Sequence, residues 1–417
     1  MTTLSAPRRR VFPGWVVVAA AFTMLLVSSG LGFYGLAIYL RAIVDERGLT
    51  TTQVSLGTSL FFVVGGITGR WIAPVIARRD LRPVVVAGGA LGAMSLVLLG
   101  HVRHLWQLYP VYALFAVGWA ACGLVPATTV VTRWFHRRRS VALSVTSTGL
   151  SVGGLTLTKL AADRIDAHGL ASTTPWLALI WFVSIALLAW FLWPDPLAKG
   201  CAPDGDPPSA MTVGSNVAGI DYDIAVRSRL FRFFSVGLVA VMAAQVGAIA
   251  QVAKLGQERV DKATGALAVS VLALASVIAR LIAGVIVPRL PMIAFTAGLA
   301  VTQGASLVLL ATASSRGALL ASAALFGATV GNLLMLQPLV IAETFGVRAY
   351  PRIYSVNQLI VSIGVAGGPF LLGFLRDQAS YRVSYIVAAA LSTCGAVAIS
   401  AGGSVRATQR ALEISPA

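Results

Sequence analysis

Twelve apolar segments separated by polar stretches run along the 417-residue chain, and each has about the 20 residues that a helix needs to cross a bilayer. Because backbone groups in lipid must bond within their own segment, such runs predict helices, and the ten-residue alternating strands of a β-barrel are absent from the sequence. The sequence therefore predicts an all-α integral membrane protein with spans at residues 14–40, 51–76, 83–101, 105–131, 138–160, 174–193, 230–253, 263–288, 291–312, 317–341, 353–375 and 383–402.

The composition excludes most soluble classes of protein. Hydrophobic residues make up 57% of the chain and charged residues only 11%, well below the charge of a soluble domain. Its three cysteines, Cys122, Cys201 and Cys394, are too few and too scattered for a disulfide framework or a zinc site. No Walker A, nucleophile-elbow, zinc-helix or dinucleotide motif occurs, so we predict no enzyme, no cofactor and no metal.

The positive charges indicate the orientation. When residues at span ends are counted with the adjoining loops, 19 Lys and Arg lie on the side of the termini and 11 on the other. The positive-inside rule then places both termini in the cytoplasm, with these charges against anionic lipid rather than nucleic acid. Only 4 of the 32 basic residues are lysines, which favours a GC-rich bacterium and hence the cell inner membrane.

The longest polar stretch, residues 194–229, divides the chain after the sixth span. It contains several Pro and Gly residues and five Asp, a composition that cannot build a core. We therefore predict an N-terminal six-helix bundle over 1–193, a cytoplasmic linker over 194–229 and a C-terminal six-helix bundle with a short cytoplasmic tail over 230–417. A short amphipathic helix is expected near residues 222–229.

An internal repeat supports two halves. The eight residues that begin at Arg70 in span 2 match the eight that begin at Arg280 in span 8 at five positions, with an offset of 210 residues. The matched arginine is the most informative position, since arginine is rare at this depth. Two parallel six-helix repeats are typical of secondary transporters that bind substrate near the midplane.

Four segments resemble the monocarboxylate transporter and oxalate/formate antiporter branch of the major facilitator superfamily, as found in bacteria. They are residues 12–18, the loop 134–142, the segment 343–354, and Arg280 with Gly284. Because they lie in both halves, the resemblance covers nearly the whole chain. It implies two pseudo-symmetric six-helix bundles and transport of a small, monocarboxylate-like organic anion by symport or antiport.

The chain also departs from that family. The loop after span 2 keeps Arg78 but lacks the Gly and the Asp that are usual there, which weakens the expected cytoplasmic latch. Ser276 and Tyr34 stand where the animal members carry an Asp and a Lys. No acidic residue lies inside any predicted span, so two forms of coupling stay open, to protons or to a counter-anion.

Arg280 is the strongest candidate for substrate binding. It lies about eight residues, or roughly 12 Å, from the cytoplasmic end of its predicted span. A guanidinium binds a carboxylate through two parallel hydrogen bonds, and a substrate anion would supply its missing partner. The alternative is that Arg280 extends to the surface or caps a helix. Its repeat-related twin, Arg70, lies nearer the surface, so we expect a gating or structural role for Arg70, as for Arg78 and Ser276.

Six further polar or aromatic residues lie near the midpoints of spans that line such cavities. Amides and phenols can bind a carboxylate and a neighbouring hydroxyl or keto group, although each can equally serve helix packing. Two prolines are expected to kink the helices that bend during gating. The candidates for substrate binding are Tyr34, Trp119, Gln245, Asn332, Tyr354 and Asn357, and the prolines are Pro126 and Pro338.

We therefore predict a monomeric secondary transporter whose partners are a carboxylate-containing substrate, membrane lipid and either protons or a counter-anion. An empty site would leave Arg280 uncompensated, which favours exchange. Two alternatives remain open. One is a facilitator-type exporter of drugs or other amphipathic compounds, and the other is a transporter-like ligand sensor, for which the linker and tails leave little room.

Overall fold

The computed structural model describes residues 12–206 and 219–413, and their regular structure is helical apart from one isolated bridge between Gly219 and Gly346. Twelve of these helices are long and apolar enough to cross a membrane, which confirms the predicted fold class. They are α1 Pro13–Arg47, α2 Thr51–Arg78, α3 Arg82–His101, α4 Leu105–Trp134, α5 Arg139–His168, α6 Leu170–Phe191, α7 Arg229–Arg259, α8 Lys262–Ile286, α9 Met292–Thr312, α10 Arg316–Phe345, α11 Tyr350–Gln378 and α12 Tyr381–Ala401.

Two membrane helices are irregular near their middle. Helix α1 contains a π-helical segment at Ser28–Phe33, and α4 is interrupted at Cys122 and Gly123. Pro126 is the third residue after this interruption, where the first backbone N–H groups of a helix have no partner within it. The backbone irregularity expected at Pro126 therefore lies just before it, whereas α10 runs through Pro338 as one helix.

The packing of the first six helices is repeated in the last six. Helix α1 packs on α5, α2 on α4 and α3 on α6, and the equivalent pairs in the second half are α7 with α11, α8 with α10 and α9 with α12. We call α1–α6 the N-terminal half and α7–α12 the C-terminal half. The two halves are therefore built on the same arrangement of helices.

Pairs of glycines four residues apart allow the closest helix contacts in both halves. A Cβ added to Gly149 or Gly153 on α5 would collide with backbone carbonyl groups of α1. Gly364 and Gly368 on α11 meet carbonyl groups of α7 in the same way. Small residues at this spacing let membrane helices approach closely, and here they place α1 and α7 beside the centre of the molecule.

The two ends of the molecule differ. Phe12, the linker and the surface helix Val405–Glu413 lie at one end, which we call the terminal face. The linker, in its described parts at residues 194–206 and 219–229, runs along this face. Its Asp204 accepts hydrogen bonds from three successive backbone N–H groups, beginning at His136, while Asp206 accepts one from the Arg137 guanidinium at 2.7 Å and raises the pKa of Arg137. The linker also forms the short helix Tyr222–Arg227, close to where one was expected.

The glycine contacts predict a severe packing defect. Replacing Gly153 by Val should separate α1 from α5, because the new side chain meets backbone rather than a flexible side chain. We expect a loss of about 3 kcal/mol or more, at the upper end of the usual cost of overpacking. Thermal unfolding in detergent measures it, and Gly298→Val, at a position with open space around it, is the control. Equal melting temperatures for the two variants would contradict the assignment.

Candidate functional site

A central cavity of about 200 Å³ lies between the two halves. The N-terminal half supplies an aromatic wall, and the C-terminal half supplies amide and hydroxyl groups. None of the described residues that line the cavity is charged. The aromatic residues are Phe33, Tyr34, Phe62 and Trp119, and the main polar residues opposite are Gln245, Gln337, Ser355, Gln358 and Ser362.

Three of the six predicted midspan residues line this cavity, namely Tyr34, Trp119 and Gln245. Tyr34 follows the π-helical segment of α1, and Trp119 lies just before the interruption of α4, so both irregular segments shape the aromatic wall. Gln245 is 2% exposed, and its Oε1 has no hydrogen-bond partner among the described residues. An unsatisfied buried amide is costly, and a bound ligand would remove that cost.

The other three predicted residues do not line the cavity. Asn357 is fully buried and is held by Gln337 and Ser235 at 2.7 and 2.8 Å. Tyr354 is buried with its ring stacked on Tyr350, 5.5 Å between centroids. Asn332 donates to a backbone carbonyl of its own helix. Spacing along the sequence gave their depth, but only the packing of the helices decides which way each side chain points.

Sequence reasoning missed Gln337 and Gln358, which both line the cavity. Gln337 donates to Gln358 Oε1 at 2.5 Å and to Asn357 Oδ1 at 2.7 Å, so one network joins α10 and α11. Their depth in the predicted spans could have identified them, because each adjoins a residue predicted as a candidate. Gln358 follows Asn357, and Gln337 precedes Pro338. The amide network positions the polar wall of the cavity.

Arg280 lies behind the cavity wall, in the contact between α8 and α5. It is 0% exposed, and its guanidinium bonds only to neutral groups. Nε donates to the Gly331 carbonyl at 2.8 Å, and the other nitrogens donate to the Ser147 carbonyl and, at 3.3 and 3.4 Å, to the hydroxyls of Ser151 and Ser276. No acidic side chain pairs with it in the part of the chain that the structure describes.

Serines at helical spacing on α5 join the two halves along this contact. Ser140 and Ser144 donate to the carbonyls of Gly284 and Arg280, at 2.8 and 2.6 Å, one turn before the groups that hold the guanidinium. A Cβ on Gly284 would lie 2.6 Å from Ser144 Cβ, so glycine is required for this approach. The Arg-x-x-x-Gly pair of α8 is thus a docking surface for the serine face of α5.

Contacts between the halves are concentrated toward the terminal face. There, Arg139 of α5 donates to Glu343 of α10 at 2.6 Å, and both are largely buried. Residues from the ends of α8 and α10, including Val287 and Leu339, belong to the hydrophobic core of the N-terminal half. Toward the opposite face, the core of the C-terminal half contains only its own residues. The described contacts therefore close the cavity at the terminal face and leave the halves apart at the other.

The candidates for gating lie on the closed side. Arg70 is exposed and donates to the Tyr222 hydroxyl of the linker at 2.9 Å, and Arg352 of α11 lies over the same ring, 4.4 Å from its centroid. Arg70 therefore does not reach the cavity. Arg78 is exposed at the end of α2, and Ser276 is buried beside Arg280. Tyr222 thus joins cations from both halves.

A family profile described as "Major Facilitator Superfamily" matches residues 20–313 and 228–411, which together span nearly the whole chain. The chain belongs to this superfamily. Monocarboxylate transporter 11 of Mus musculus is 28% identical over 407 residues, covering 92% of this chain and 86% of that protein. The same transporter of Homo sapiens is 28% identical over 404 residues, covering 92% and 81%. Major facilitator members are transporters and not enzymes, and this one is a multi-pass membrane protein with twelve spans.

Solved major facilitator structures share the fold. The Escherichia coli fucose:proton symporter superposes with a TM-score of 0.69 at 15% identity, covering 95% of this chain and all of that one. The human organic anion transporter MFSD10 gives 0.62 at 16% identity, covering 95% and 100%. At these identities the likeness concerns the fold alone, and it confirms the predicted major facilitator architecture.

The Arg139–Glu343 contact predicts a conformational effect. Glu343→Gln leaves a buried guanidinium without its carboxylate, so we expect the closed terminal face to lose about 1–2 kcal/mol. Spin labels at positions 79 and 347, on this face of the two halves, should then report a larger population at long distance. The control is Asp163→Asn, which breaks an exposed pair within one helix. Identical distance distributions in both variants would show that the contact is not a latch.

Proposed function

We propose that this protein is a secondary transporter that moves a small, monocarboxylate-like organic anion by alternating access, with Arg280 as the carboxylate clamp. The observation that carries the proposal is a fully buried guanidinium with only neutral partners. A cation at membrane depth is costly unless it is paired or lines a wet cavity. The names of the monocarboxylate transporters that the chain resembles agree with an anionic substrate.

The same geometry explains how an anion can drive the conformational change. Two of the groups that hold the guanidinium, Ser147 and Ser151, belong to the other half. A carboxylate offers stronger, charge-assisted hydrogen bonds than a carbonyl or a hydroxyl. A substrate anion that replaces these serines therefore loosens the contact between α5 and α8. Anion binding at Arg280 and separation of the halves at the terminal face are therefore coupled, because the same bonds must break for both.

We further propose that the terminal face is cytoplasmic and that the protein lies in a bacterial inner membrane. The excess of basic residues on this side supports the orientation. In that orientation the structure is closed toward the cytoplasm. The charge of the transported anion is balanced either by a proton that moves with it or by a second anion that moves in exchange.

The native thiol of Cys201 tests the orientation. It lies half-buried in the linker, and burial raises its pKa, so its labelling should be slower than that of a fully exposed thiol. We expect an impermeant maleimide to label Cys201 in inside-out vesicles and not in intact cells. Cys201→Ser identifies the signal, because Cys394 on α12 is also exposed. Labelling of Cys201 in intact cells would reverse the orientation.

A second candidate function is export of amphipathic compounds. It is favoured by the uncharged lining of the cavity and by the position of Arg280 behind its wall. The two proposals differ in whether the substrate needs a negative charge. Uptake of a panel of labelled carboxylates and their neutral analogues into proteoliposomes, with and without a pH gradient, separates them.

The clamp predicts that charge alone is insufficient at position 280. Arg280→Lys keeps the cation but loses the planar fork, so we expect carboxylate uptake to fall by at least about tenfold while expression is maintained. Arg259→Lys is the matched control. Like Arg280, Arg259 donates to backbone carbonyls, three of them, but all of these lie within one half. Its uptake should stay within about twofold of the unmodified protein. Unchanged uptake in Arg280→Lys would exclude the clamp.

A further inference from the structure

The aromatic wall of the cavity is a continuous set of rings. Trp119 lies 6.5 Å from Phe62, Phe62 lies 5.6 Å from Phe33, and Phe33 lies 5.0 Å from Tyr34, measured between centroids. Their interplanar angles are 65–87°, so neighbouring rings meet edge to face. Such tilted arrangements are favourable between aromatic groups, so a further ring can join the set.

The wall has a rigid backing. Phe61 is fully buried behind it and lies 5.1 Å from Trp119, and Gly65 lies directly below the indole. Gly32 is also required here, because a Cβ at that position would lie 2.5 Å from the indole ring. The two glycines leave room for the indole beside α1 and α2. A preformed apolar surface binds a ligand without first paying for its own ordering.

Most of the polar groups lie on the other side of the cavity, and the hydroxyl groups of Ser28 and Ser29 on α1 line it from the N-terminal half. Gln245 has the unpartnered Oε1 described above, and Ser355, Gln358 and Ser362 complete this side. Arg280 belongs to the same half and lies in the contact between α8 and α5. A ligand in the cavity is therefore bound by an aromatic surface at one end and by hydrogen-bonding groups at the other.

The size of the cavity sets the size of the ligand. A dry engineered cavity of about 150 Å³ accommodates one benzene molecule. The cavity here, at about 200 Å³, holds a benzene ring together with a short polar chain. An anion of two or three carbons would leave most of the aromatic wall without a contact.

We infer that the substrate is an aryl-bearing carboxylate whose ring packs on Phe33, Phe62 and Trp119 and whose polar end faces Gln245. A hydroxyl group beside the carboxylate would satisfy the free Gln245 oxygen. This inference rests on the proposed anion transport but goes beyond it, because it names the part of the substrate that the arginine does not bind.

Three ligands that differ by one group each test the inference, with calorimetric titration of the full-length protein in detergent. They are lactate, 3-phenyllactate and 3-phenylpropane-1,2-diol, which lacks the carboxylate. We expect 3-phenyllactate to bind at least about tenfold tighter than lactate, because its ring is removed from water. It should also bind at least about tenfold tighter than the diol, through the charge-assisted bonds to Arg280.

The outcomes separate the two proposals. Equal affinity for lactate and 3-phenyllactate would overturn the aryl inference and leave anion transport standing. Equal, tight binding of the diol and 3-phenyllactate would overturn the anion clamp and leave the aryl site standing. If none of the three ligands binds to folded protein, both proposals fail.

Variants of the wall provide the second test. The double change Phe33→Ala and Phe62→Ala should lower the affinity for 3-phenyllactate by about tenfold, and by a larger factor than the affinity for lactate. The matched control, Phe370→Ala and Phe374→Ala, removes two exposed rings of α11 outside the cavity and should change neither affinity. Phe62→Leu keeps the apolar bulk and is the variant to use if the double change does not fold. The affinity of Phe62→Leu for 3-phenyllactate should lie between that of the unmodified protein and that of the double variant. An affinity equal to that of the unmodified protein would overturn the role of the ring.

Discussion

The rest of the structure depends on the hydrogen bonds of a buried guanidinium that has no acidic partner among the described residues. Arg280 is held by carbonyl and hydroxyl groups, and the strongest of them come from both halves of the molecule. These bonds offset part of the cost of removing the charge from water, but they leave its positive charge uncompensated. The same side chain therefore joins the two halves by hydrogen bonds and carries a positive charge that no counter-ion among the described residues neutralises. An anion would neutralise that charge best. To bind the guanidinium it would have to replace the α5 groups whose contact with α8 helps to close the terminal face.

The closed side is built from contacts of graded strength. Serine hydroxyls bond to carbonyls of α8, and Arg139 pairs with Glu343 at the adjoining helix end. Outside them, the linker holds cations of both halves against one tyrosine ring. The first two are shielded from water and the last is exposed, so their contributions decrease toward the surface. A conformational change that begins at Arg280 would therefore break the strongest contacts first. The contacts that remain to be broken toward the surface contribute less to the stability of the closed state.

The division of the cavity gives each half a separate task. The aromatic wall belongs to α1, α2 and α4 of the N-terminal half, and the amides belong to α7, α10 and α11 of the C-terminal half. A ligand that contacts both walls couples the halves, whereas a ligand that contacts one wall does not. Under the proposed function, such a division would link recognition to motion, because a substrate with both an apolar and a polar end would favour the arrangement in which the walls approach.

The sequence by itself determined the fold class, the twelve spans and the depth of each polar residue. Those features depend on hydrophobic length and helical rise, which are local properties. It also singled out Arg280, since a lone cation in an apolar run is conspicuous wherever the helix lies. Which residues face the cavity was decided only by the tertiary structure. Tyr34, Trp119 and Gln245 face it, whereas Tyr354 and Asn357 at similar depth are buried in packing. Rotation of a membrane helix about its axis is set by its neighbours and by close contacts such as those of Gly153, because lipid exerts no comparable orienting force.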